Sequence, residues 1–350
     1  MQITSAIDAH IIQQIGALQG RNSSVFLAWD PQLNGNIALK EIPIFRFNNV
    51  NDYFKEAKIL YENKHPRVAP ILYACTDVDK VRIAMPYFGN GSLQDHIASR
   101  PLTVRKIIEW GQQFLSGLHH VHINGYIHYD VKPSNILIAD DGSAMITDFG
   151  QSQKVNAYGV ANNPLIYIYH FAPENLQQST STIHSDIYQC GLTMYRMCNG
   201  EPFFNEQKNA IPRALLAQEI LSGRFPNRDK FLPHIPRRLK LIIRKALAMN
   251  PADRFPTAHD LSLALSQVGN NLDWQYEDNT TTKKWSYKNM EHVFEIVLQY
   301  NNIGKCWEVN GTQRRISDGL TRRKNAWSGA FRTQKQANSF VDKIFKEMER

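Results

Sequence analysis

The sequence predicts an α+β fold in which a small β-rich lobe precedes a larger helical lobe, with a short α+β appendage at the end of the chain. Three observations support this fold class. From Ile11 to about Pro86, short apolar runs rich in Ile, Val and Phe alternate with turn signals. From Leu93 onward, apolar residues recur at the three-and-four spacing of helices. After about residue 285, strand-like runs lead into one amphipathic helix.

The composition describes a folded protein rather than a disordered or secreted one. A chain of 350 residues with 43% hydrophobic content can bury a large core and form two or three compact units. The formal charge of +8 is compatible with acidic partners but identifies none. The four cysteines form no C-x-x-C pair, which argues against a disulfide framework and a zinc site. We expect a reducing compartment.

The chain start and its hydropathy bear on localisation. The first sixteen residues, MQITSAIDAHIIQQIG, lack the basic n-region of a signal peptide and are interrupted by Asp8. No uncharged apolar run approaches the length that a bilayer-spanning helix needs. We therefore expect a cytoplasmic protein without membrane contact.

The β-rich lobe contains one predicted helix, from about Asn51 to Asn63. Apolar residues form one face of this helix, and the "HP" dipeptide at 65 and 66 ends it. Upstream, the run "IALK" places Lys40 at the end of a predicted strand. In the helical lobe, the periodic apolar positions of the first long helix are Ile107, Ile108, Trp110, Phe114, Leu115, Leu118 and Val121.

The stretch "HYDVKPSN", residues 128 to 135, carries an aspartate, a lysine and an asparagine at a spacing that suits phosphoryl transfer. Moving a γ-phosphoryl group from ATP needs a carboxylate at the acceptor hydroxyl, oxygen ligands for Mg²⁺ and a cation on the phosphates. A strand-like "AMIT" and then "DFG" at 148 to 150 follow this stretch. Together with Lys40, these residues supply a candidate for each requirement.

Four more motifs follow in order along the chain. They are "APE" at 172 to 174, "SDIYQCG" at 185 to 191, "GEPF" at 200 to 203 and "NPADRF" at 250 to 255. With these motifs, residues 8–266 resemble the eukaryotic-type Ser/Thr protein kinase family. The resemblance implies the two-lobed kinase fold, with an N-lobe at about 8–86 and a C-lobe at about 87–266. It also implies that Glu174 pairs with Arg254 inside the C-lobe.

The resemblance implies four catalytic residues, which are Asp130, Lys132, Asn135 and Asp148. The first would accept or orient the proton of the acceptor hydroxyl, and the second would steady the γ-phosphate. The last two would hold Mg²⁺. Lys40 would bind the α- and β-phosphates of ATP, with Glu56 on the interrupting helix as its ion-pair partner.

The resemblance also implies an adenine pocket. Met85 occupies the position at the back of the pocket, and Pro86, Tyr87 and Phe88 form the hinge that meets the adenine edge. The residues that would sandwich the ring are Val25, Ala38 and Leu137.

The glycine-rich loop departs from the family pattern. Aligned on Val25, it reads Leu18, Gly20 and Ser23 where three glycines are expected, and an alignment from Gly16 needs an insertion. Fewer positions without a Cβ leave less room for the backbone to approach ATP. The alternative to an active enzyme is therefore a pseudokinase, an ATP-binding scaffold without catalysis.

The second departure concerns control. Tyr129 replaces the arginine that in the family reads a phosphate on the activation segment, the stretch from "DFG" to "APE" at 148–174, so the chain is a non-RD variant. Tyr167 replaces the usual threonine, and no serine or threonine occurs from Gln153 to Glu174. We predict activity without phosphorylation of this segment, which packing would order through Leu165, Ile166, Tyr167, Ile168, Tyr169 and Phe171.

The tail divides into a predicted linker, 267–284, and an appendage, 285–350. The stretch from Lys305 to Lys335 contains eight basic and two acidic residues, which gives a net charge of +6. Trp307, Trp327 and Phe331 are interleaved with the basic residues. Two interpretations stay open. In the first, this surface binds a polyanion or an acidic partner. A further alternative for the whole chain is then a nucleic-acid-binding protein that its kinase half regulates. Otherwise the aromatic residues form a small core under the final helix.

Overall fold

The computed structural model describes residues 7–16, 23–47, 49–164, 168–279 and 281–349. The N-terminal lobe is an antiparallel sheet with strand order β1-β2-β3-β5-β4 and one helix. Its elements are β1 His10–Ile15, β2 Ser24–Asp30, β3 Gly35–Pro43, α1 Lys55–Glu62, β4 Tyr73–Thr76 and β5 Lys80–Pro86. Helix α1 begins later than predicted because Val50–Asp52 forms a separate 3-10 turn, capped by the Asn49 side chain.

The second lobe is mainly helical. Its helices are α2 Leu93–Ile97, α3 Val104–Ile123, α4 Pro173–Gln177, α5 His184–Asn199, α6 Glu201–Asn209, α7 Leu216–Leu221, α8 Arg237–Ala246 and α9 Ala258–Ser266. Short strand pairs join its loops: β6 Tyr126–Ile127 with β9 Gln153–Lys154, β7 Ile136–Ile138 with β8 Ala144–Ile146, and β10 Ala161–Asn162 with β11 Thr180–Ser181. The periodic apolar positions predicted for α3 are buried, except that Ile108 is half-buried. The predicted order of a β-rich lobe before a helical lobe is confirmed.

The appendage is an antiparallel sheet covered on one face by a helix. Its elements are β12 Gln275–Asn279, β13 Thr282–Lys288, β14 His292–Asn301, β15 Cys306–Arg315, β16 Thr321–Arg323, β17 Gly329–Phe331 and α10 Gln334–Met348. The predicted linker 267–284 is therefore wrong over its second half, where β12 and β13 pair with each other. Helix α10 begins at the predicted capping box, in which Thr333 accepts from the Gln336 amide at 3.2 Å.

The appendage packs against the helical lobe and shares its apolar core. The ring of Tyr276 stacks on His234 at a centroid distance of 6.1 Å, and Phe345 of α10 meets the same histidine edge-on. Arg105 at the start of α3 donates to both carboxylate oxygens of Asp273, at 2.6 and 2.7 Å. Both lobes and the appendage contribute to one continuous cluster of buried residues. The predicted boundary near residue 266 is thus a boundary in sequence rather than in packing.

The interleaved aromatic residues belong to this core. The Trp327 ring lies 6.2 Å from Trp274 and 5.9 Å from Phe294, and Phe331 lies 5.0 Å from Phe340 of α10. These contacts favour the second of the two sequence-based interpretations, in which the aromatic residues support the final helix. Across the described ranges, no helix has the length and apolar content needed to cross a bilayer.

Candidate active site

The register of the first sheet places the predicted pocket residues on one face. Val25 lies opposite Lys40, and Ala38 lies opposite Met85. Directly opposed residues in an antiparallel pair project to the same face, and Ala38 and Lys40 are two residues apart on β3. The four side chains therefore share a face, and Lys40 on that face reaches a carboxylate of the helical lobe, Asp148. The other face packs on Ala28, Ile37, Leu39 and Ala84.

Two carboxylates converge on the Lys40 ammonium group. Its Nζ donates to the two oxygens of Glu56 at 2.7 and 2.8 Å and to Oδ1 of Asp148 at 2.7 Å. Burial alone would lower the pKa of Lys40, but the two carboxylates outweigh burial and raise it. Burial opposes ionisation of Asp148 as well, yet the Lys40 charge holds its pKa below the ordinary value. The lysine is therefore charged at neutral pH.

The loop that carries Asp130 is fixed by side chains of α5. The carboxylate of Asp186, which is fully buried, accepts from the backbone amides of His128 at 2.8 Å and Tyr129 at 2.7 Å. Gln189 donates to the Tyr129 carbonyl at 2.7 Å, and its own oxygen accepts from the amide that follows Asp130. These contacts hold Tyr129 at φ +66°, a conformation that costs a non-glycine residue energy. The backbone of this loop is therefore fixed by hydrogen bonds to α5.

His128 connects this loop to the "DFG" segment. Its Nε2 donates to the Thr147 carbonyl at 3.1 Å, so its Nδ1 accepts from the Asp130 amide at 3.2 Å. Complete burial lowers the pKa of His128, which keeps the ring neutral in this tautomer. The ring of Phe149 packs edge-on against it at 4.7 Å. One imidazole thus contacts the backbone of Asp130 and the two residues that flank Asp148.

The Asp130 carboxylate has one committed oxygen and one free oxygen. Its Oδ2 accepts from Lys132 at 2.6 Å and from the Asn135 amide group at 2.8 Å. Its Oδ1 is buried and has no hydrogen-bond partner among the described residues. An unpartnered buried carboxylate oxygen is costly unless a ligand meets it, and an acceptor hydroxyl would supply the missing donor.

The donors near this carboxylate fit a magnesium ion. Asn135 offers an amide oxygen and Asp148 a carboxylate whose side chain is 37% exposed. Within the described ranges, no group of three or more His, Cys, Asp or Glu side chains could hold a metal. Mg²⁺ suits such a sparse set because one or two protein oxygens, phosphate oxygens and water complete its shell.

Several predicted positions lie away from this cluster. Leu137, on β7, is half-buried and bridges to Ser92, while Tyr87 and Phe88 follow directly after β5 and are also half-buried. Gly16 directly follows β1 and has φ +65°, a conformation that favours glycine. Gly20 and Tyr167 lie outside the described residues. The prediction of a weakened glycine-rich loop therefore stays a prediction.

The predicted pair of Glu174 and Arg254 is confirmed. The two guanidinium nitrogens of Arg254 donate to the two carboxylate oxygens, each at 2.7 Å, and both side chains are buried. Sequence reasoning missed the support given by His128, Asp186 and Gln189. The motif "SDIYQCG" contains the last two residues and was the signal that could have identified them.

Comparisons with known proteins agree with this geometry. The family model described as "Protein kinase domain" matches residues 9–263. The serine/threonine-protein kinase PrkC of Bacillus subtilis (strain 168) is 30% identical over 261 residues, covering 72% of this chain and 39% of that protein. The probable serine/threonine-protein kinase CPE1738 of Clostridium perfringens is 28% identical, covering 74% of this chain and 38% of its own length. This chain thus spans about two fifths of the length of these relatives.

Proposed function

The chain belongs to the protein kinase family, and from this premise we propose that it transfers the γ-phosphoryl group of ATP to serine or threonine hydroxyls of proteins. The relatives named as serine/threonine-protein kinases support the acceptor class. One observation carries the proposal: the buried, unpartnered Oδ1 of Asp130 lies in the same site as the charged Lys40. A base for the acceptor and a cation for the phosphates are what this reaction needs.

The chain's own residues divide the chemistry as follows. Oδ1 of Asp130 orients the acceptor hydroxyl and accepts its proton as the new P–O bond forms. Lys132, which already contacts Asp130, places a positive charge where the γ-phosphoryl group accumulates negative charge. Lys40, kept in place by Glu56, binds the α- and β-phosphates. Mg²⁺, when bound by Asn135 and Asp148, would neutralise phosphate charge.

The predicted control without phosphorylation is part of this proposal. Tyr129 has no positive charge and is fully buried, so it offers no cation to a phosphate on the activation segment. Among the predicted apolar anchors, Ile168 and Tyr169 pack against the main core. We expect phosphatase treatment of the purified protein to leave its activity unchanged. A large loss that maps to residues 148–174 and is reversed by rephosphorylation would contradict this expectation.

The competing function is an ATP-binding scaffold without catalysis. Radiolabelled ATP and casein as a generic acceptor distinguish the two, with Lys40→Met and Asp148→Asn as companion variants. We expect transfer by the natural chain and a loss of orders of magnitude in each variant, because each change removes a charge positioned for the transition state. Nucleotide binding without transfer by the natural chain would favour the scaffold.

We also propose, as a second function, that the appendage binds a polyanion, either a nucleic acid or an acidic protein. The β-sheet register supports this because Lys288 and Arg314 lie opposite Val293 on the face away from α10, and Arg323 lies opposite Thr312 on that same face. None of the three basic residues has an ion-pair partner among the described residues. The neighbouring Lys324 lies over the ring of Trp327, 4.1 Å from its centroid.

The test of the second function uses the full chain and a labelled 30-nucleotide single strand. Binding should weaken steeply with salt, because bound phosphates release counterions. Replacement of Arg314, Arg315, Arg322, Arg323 and Lys324 by glutamine removes two of the three basic residues of this face together with their basic neighbours, and should weaken binding strongly. Unchanged binding by that variant would refute the assignment. If the full chain bound an acidic peptide but not the labelled single strand, the partner would be a protein instead.

A further inference from the structure

Tyr129 projects its side chain away from the site that its neighbour Asp130 serves. Its backbone is held by Asp186 and Gln189, so the direction of the side chain is fixed. The ring is fully buried in a small cluster with Ile127 and Ala161, separate from the main core. Ala161 belongs to the activation segment. The residue therefore joins the catalytic loop to that segment by direct contact.

The Tyr129 hydroxyl contacts both strands of the β10–β11 pair. It donates to the Ala161 carbonyl at 3.0 Å, and the Ser181 hydroxyl donates to it at 3.0 Å. Ala161 and Ser181 lie opposite each other in the β-sheet register. Ala161 precedes the "APE" motif and Ser181 follows it. A single phenolic oxygen thus bridges the two ends of the chain segment that contains this motif.

A buried polar network continues from Ser181. Its single hydroxyl hydrogen is shared between the Tyr129 oxygen and Oδ1 of Asn163, the latter at 2.6 Å, and Asn175 donates to the Ser181 and Asn163 oxygens at 3.1 Å each. The two hydrogens of the Asn175 amide are thus shared among three oxygens, the third being that of Ser185 at 3.3 Å, and Ser185 donates to Glu174 at 2.9 Å. Glu174 is the partner of Arg254. Hydrogen bonds therefore connect the catalytic loop to the buried ion pair behind the activation segment.

The surroundings of Tyr129 disfavour a phosphate. Its hydroxyl partners are a carbonyl and a hydroxyl, and the nearby charges that act on it are the negative ones of Asp186 and Glu174. Burial raises the pKa of Tyr129 to about 12, so the hydroxyl keeps its hydrogen at neutral pH. The contact is therefore neutral under these conditions.

We propose that Tyr129, Ala161 and Ser181 form a neutral clasp that holds the activation segment in position for the protein acceptor. Tyr129 is thus a positioning residue for phosphoryl transfer. The inference rests on the proposed kinase function and deepens its regulation, because it names the contact that replaces a phosphate-dependent ion pair. Such a clasp is present from the moment the chain folds and needs no modification.

The test compares Tyr129→Phe, Ser181→Ala and the double variant with the natural chain. Phenylalanine keeps the ring and removes only the hydroxyl, which leaves the Ala161 carbonyl without its donor. We expect kcat/KM for casein to fall about tenfold, the size that loss of one buried hydrogen bond gives. The loss should lie in KM for casein rather than in KM for ATP, because the Lys40 site is untouched. The double variant should lose no more than either single variant.

Tyr195→Phe is the matched control. Tyr195 is equally buried, donates to the Asn227 carbonyl at 3.0 Å and accepts from Gln207 at 2.8 Å, and neither of these partners belongs to the clasp. Its hydroxyl removal should lower thermal stability to a similar extent and leave KM for casein unchanged. Amide hydrogen exchange provides a readout without activity: exchange at residues 159–163 and 179–182 should accelerate in Tyr129→Phe and in Ser181→Ala but not in Tyr195→Phe.

The outcomes separate the clasp from the kinase function. The clasp would be overturned if Tyr129→Phe had the exchange rates and kinetics of the natural chain. It would also be overturned if Tyr195→Phe showed the same faster exchange and higher KM for casein as Tyr129→Phe. Additive losses in the double variant would overturn the coupling of Tyr129 and Ser181. If the natural chain transferred no phosphate while exchange accelerated as expected, the clasp would stand and the proposed function would fall. If Tyr129→Phe did not fold, Ser181→Ala would decide by the same two measurements.

Discussion

Replacement of Asp130 by asparagine tests the site most directly, because the structure dictates how the new amide must turn. Oδ2 of Asp130 accepts from Lys132 and Asn135, and an amide NH₂ group cannot accept these bonds. The amide of Asp130→Asn must therefore point its oxygen at the two donors. Its NH₂ group then occupies the position of Oδ1, the oxygen without a partner. The hydroxyl of the substrate then meets an N–H donor in place of the carboxylate oxygen that would accept its proton.

This geometry separates the effect on activity from the effect on folding. Loss of a general base lowers the rate by about 10²- to 10⁴-fold, which corresponds to about 3–5 kcal/mol of barrier. Both hydrogen bonds at Oδ2 persist, so we expect the free energy of unfolding to change by less than about 1 kcal/mol. Single-turnover transfer to casein and urea unfolding measure the two quantities. Asp140→Asn, at an exposed position ten residues later, is the control.

Natural turnover in Asp130→Asn would refute the assignment of the base and favour the scaffold. A loss of activity that merely followed a loss of stability would refute the argument from amide orientation. If both Asp130→Asn and Lys40→Met kept natural turnover, the proposed chemistry would have to be abandoned.

Three further predictions concern the acceptor, the ion pair and pH. Autophosphorylated protein should carry phosphoserine or phosphothreonine by mass spectrometry; mainly phosphotyrosine would contradict the Ser/Thr proposal. Arg254→Met should cost about 3–5 kcal/mol in urea unfolding, because it leaves Glu174 buried without its partner; a cost below about 1 kcal/mol would show that water reaches this carboxylate. Burial, with a smaller effect of Lys240, lowers the pKa of His234 to about 3, so the stability it confers is present above about pH 6.5 and lost as pH falls. Between pH 6.5 and 5, the natural chain should lose about 2 kcal/mol of unfolding free energy more than His234→Phe does. The same pH dependence of the unfolding free energy in both proteins would contradict this.

The sequence predicted the catalytic cluster well because its chemistry is local. Asp130, Lys132 and Asn135 lie within six residues, and their spacing alone brings them onto one loop. The strand that carries Lys40 follows from apolar patterning, although β3 continues three residues beyond the predicted end, and the start of α10 follows from the capping box of Thr333. Such signals need no knowledge of distant residues, since each depends on neighbours a few positions away.

The support beneath the cluster was not predictable in the same way. Asp186 accepts from the Tyr129 amide across 57 residues of sequence, and nothing near either residue announces the contact. The buried clasp with Ser181, 52 residues away from Tyr129, has the same character. Replacement of an arginine by tyrosine indicates that a cation is lost. It does not indicate which neutral contact takes its place, because that depends on how distant strands pair.

The failed prediction of a linker has a related cause. In β12 and β13 one residue in two faces the core, and the buried ones include Tyr276 and Trp285, while the others are polar or charged. A hairpin of mostly polar and charged residues at the edge of a sheet has the composition of a solvated connection. Composition therefore gave the wrong answer, although the alternation of these two aromatic residues with polar ones was the correct signal.

The family match and the physical core of the chain end at different places. The kinase model ends at residue 263, yet Trp274 lies 5.1 Å from Phe345 of α10, and His234 of the helical lobe packs between Tyr276 and Phe345. Burial of these aromatic rings is the kind of contact that stabilises a domain rather than one that joins two mobile units. A chain cut after the family match would expose His234 and leave its side of the helical lobe uncovered. The appendage is therefore part of the folded enzyme, and its basic outer face is presented at a fixed position relative to the active site.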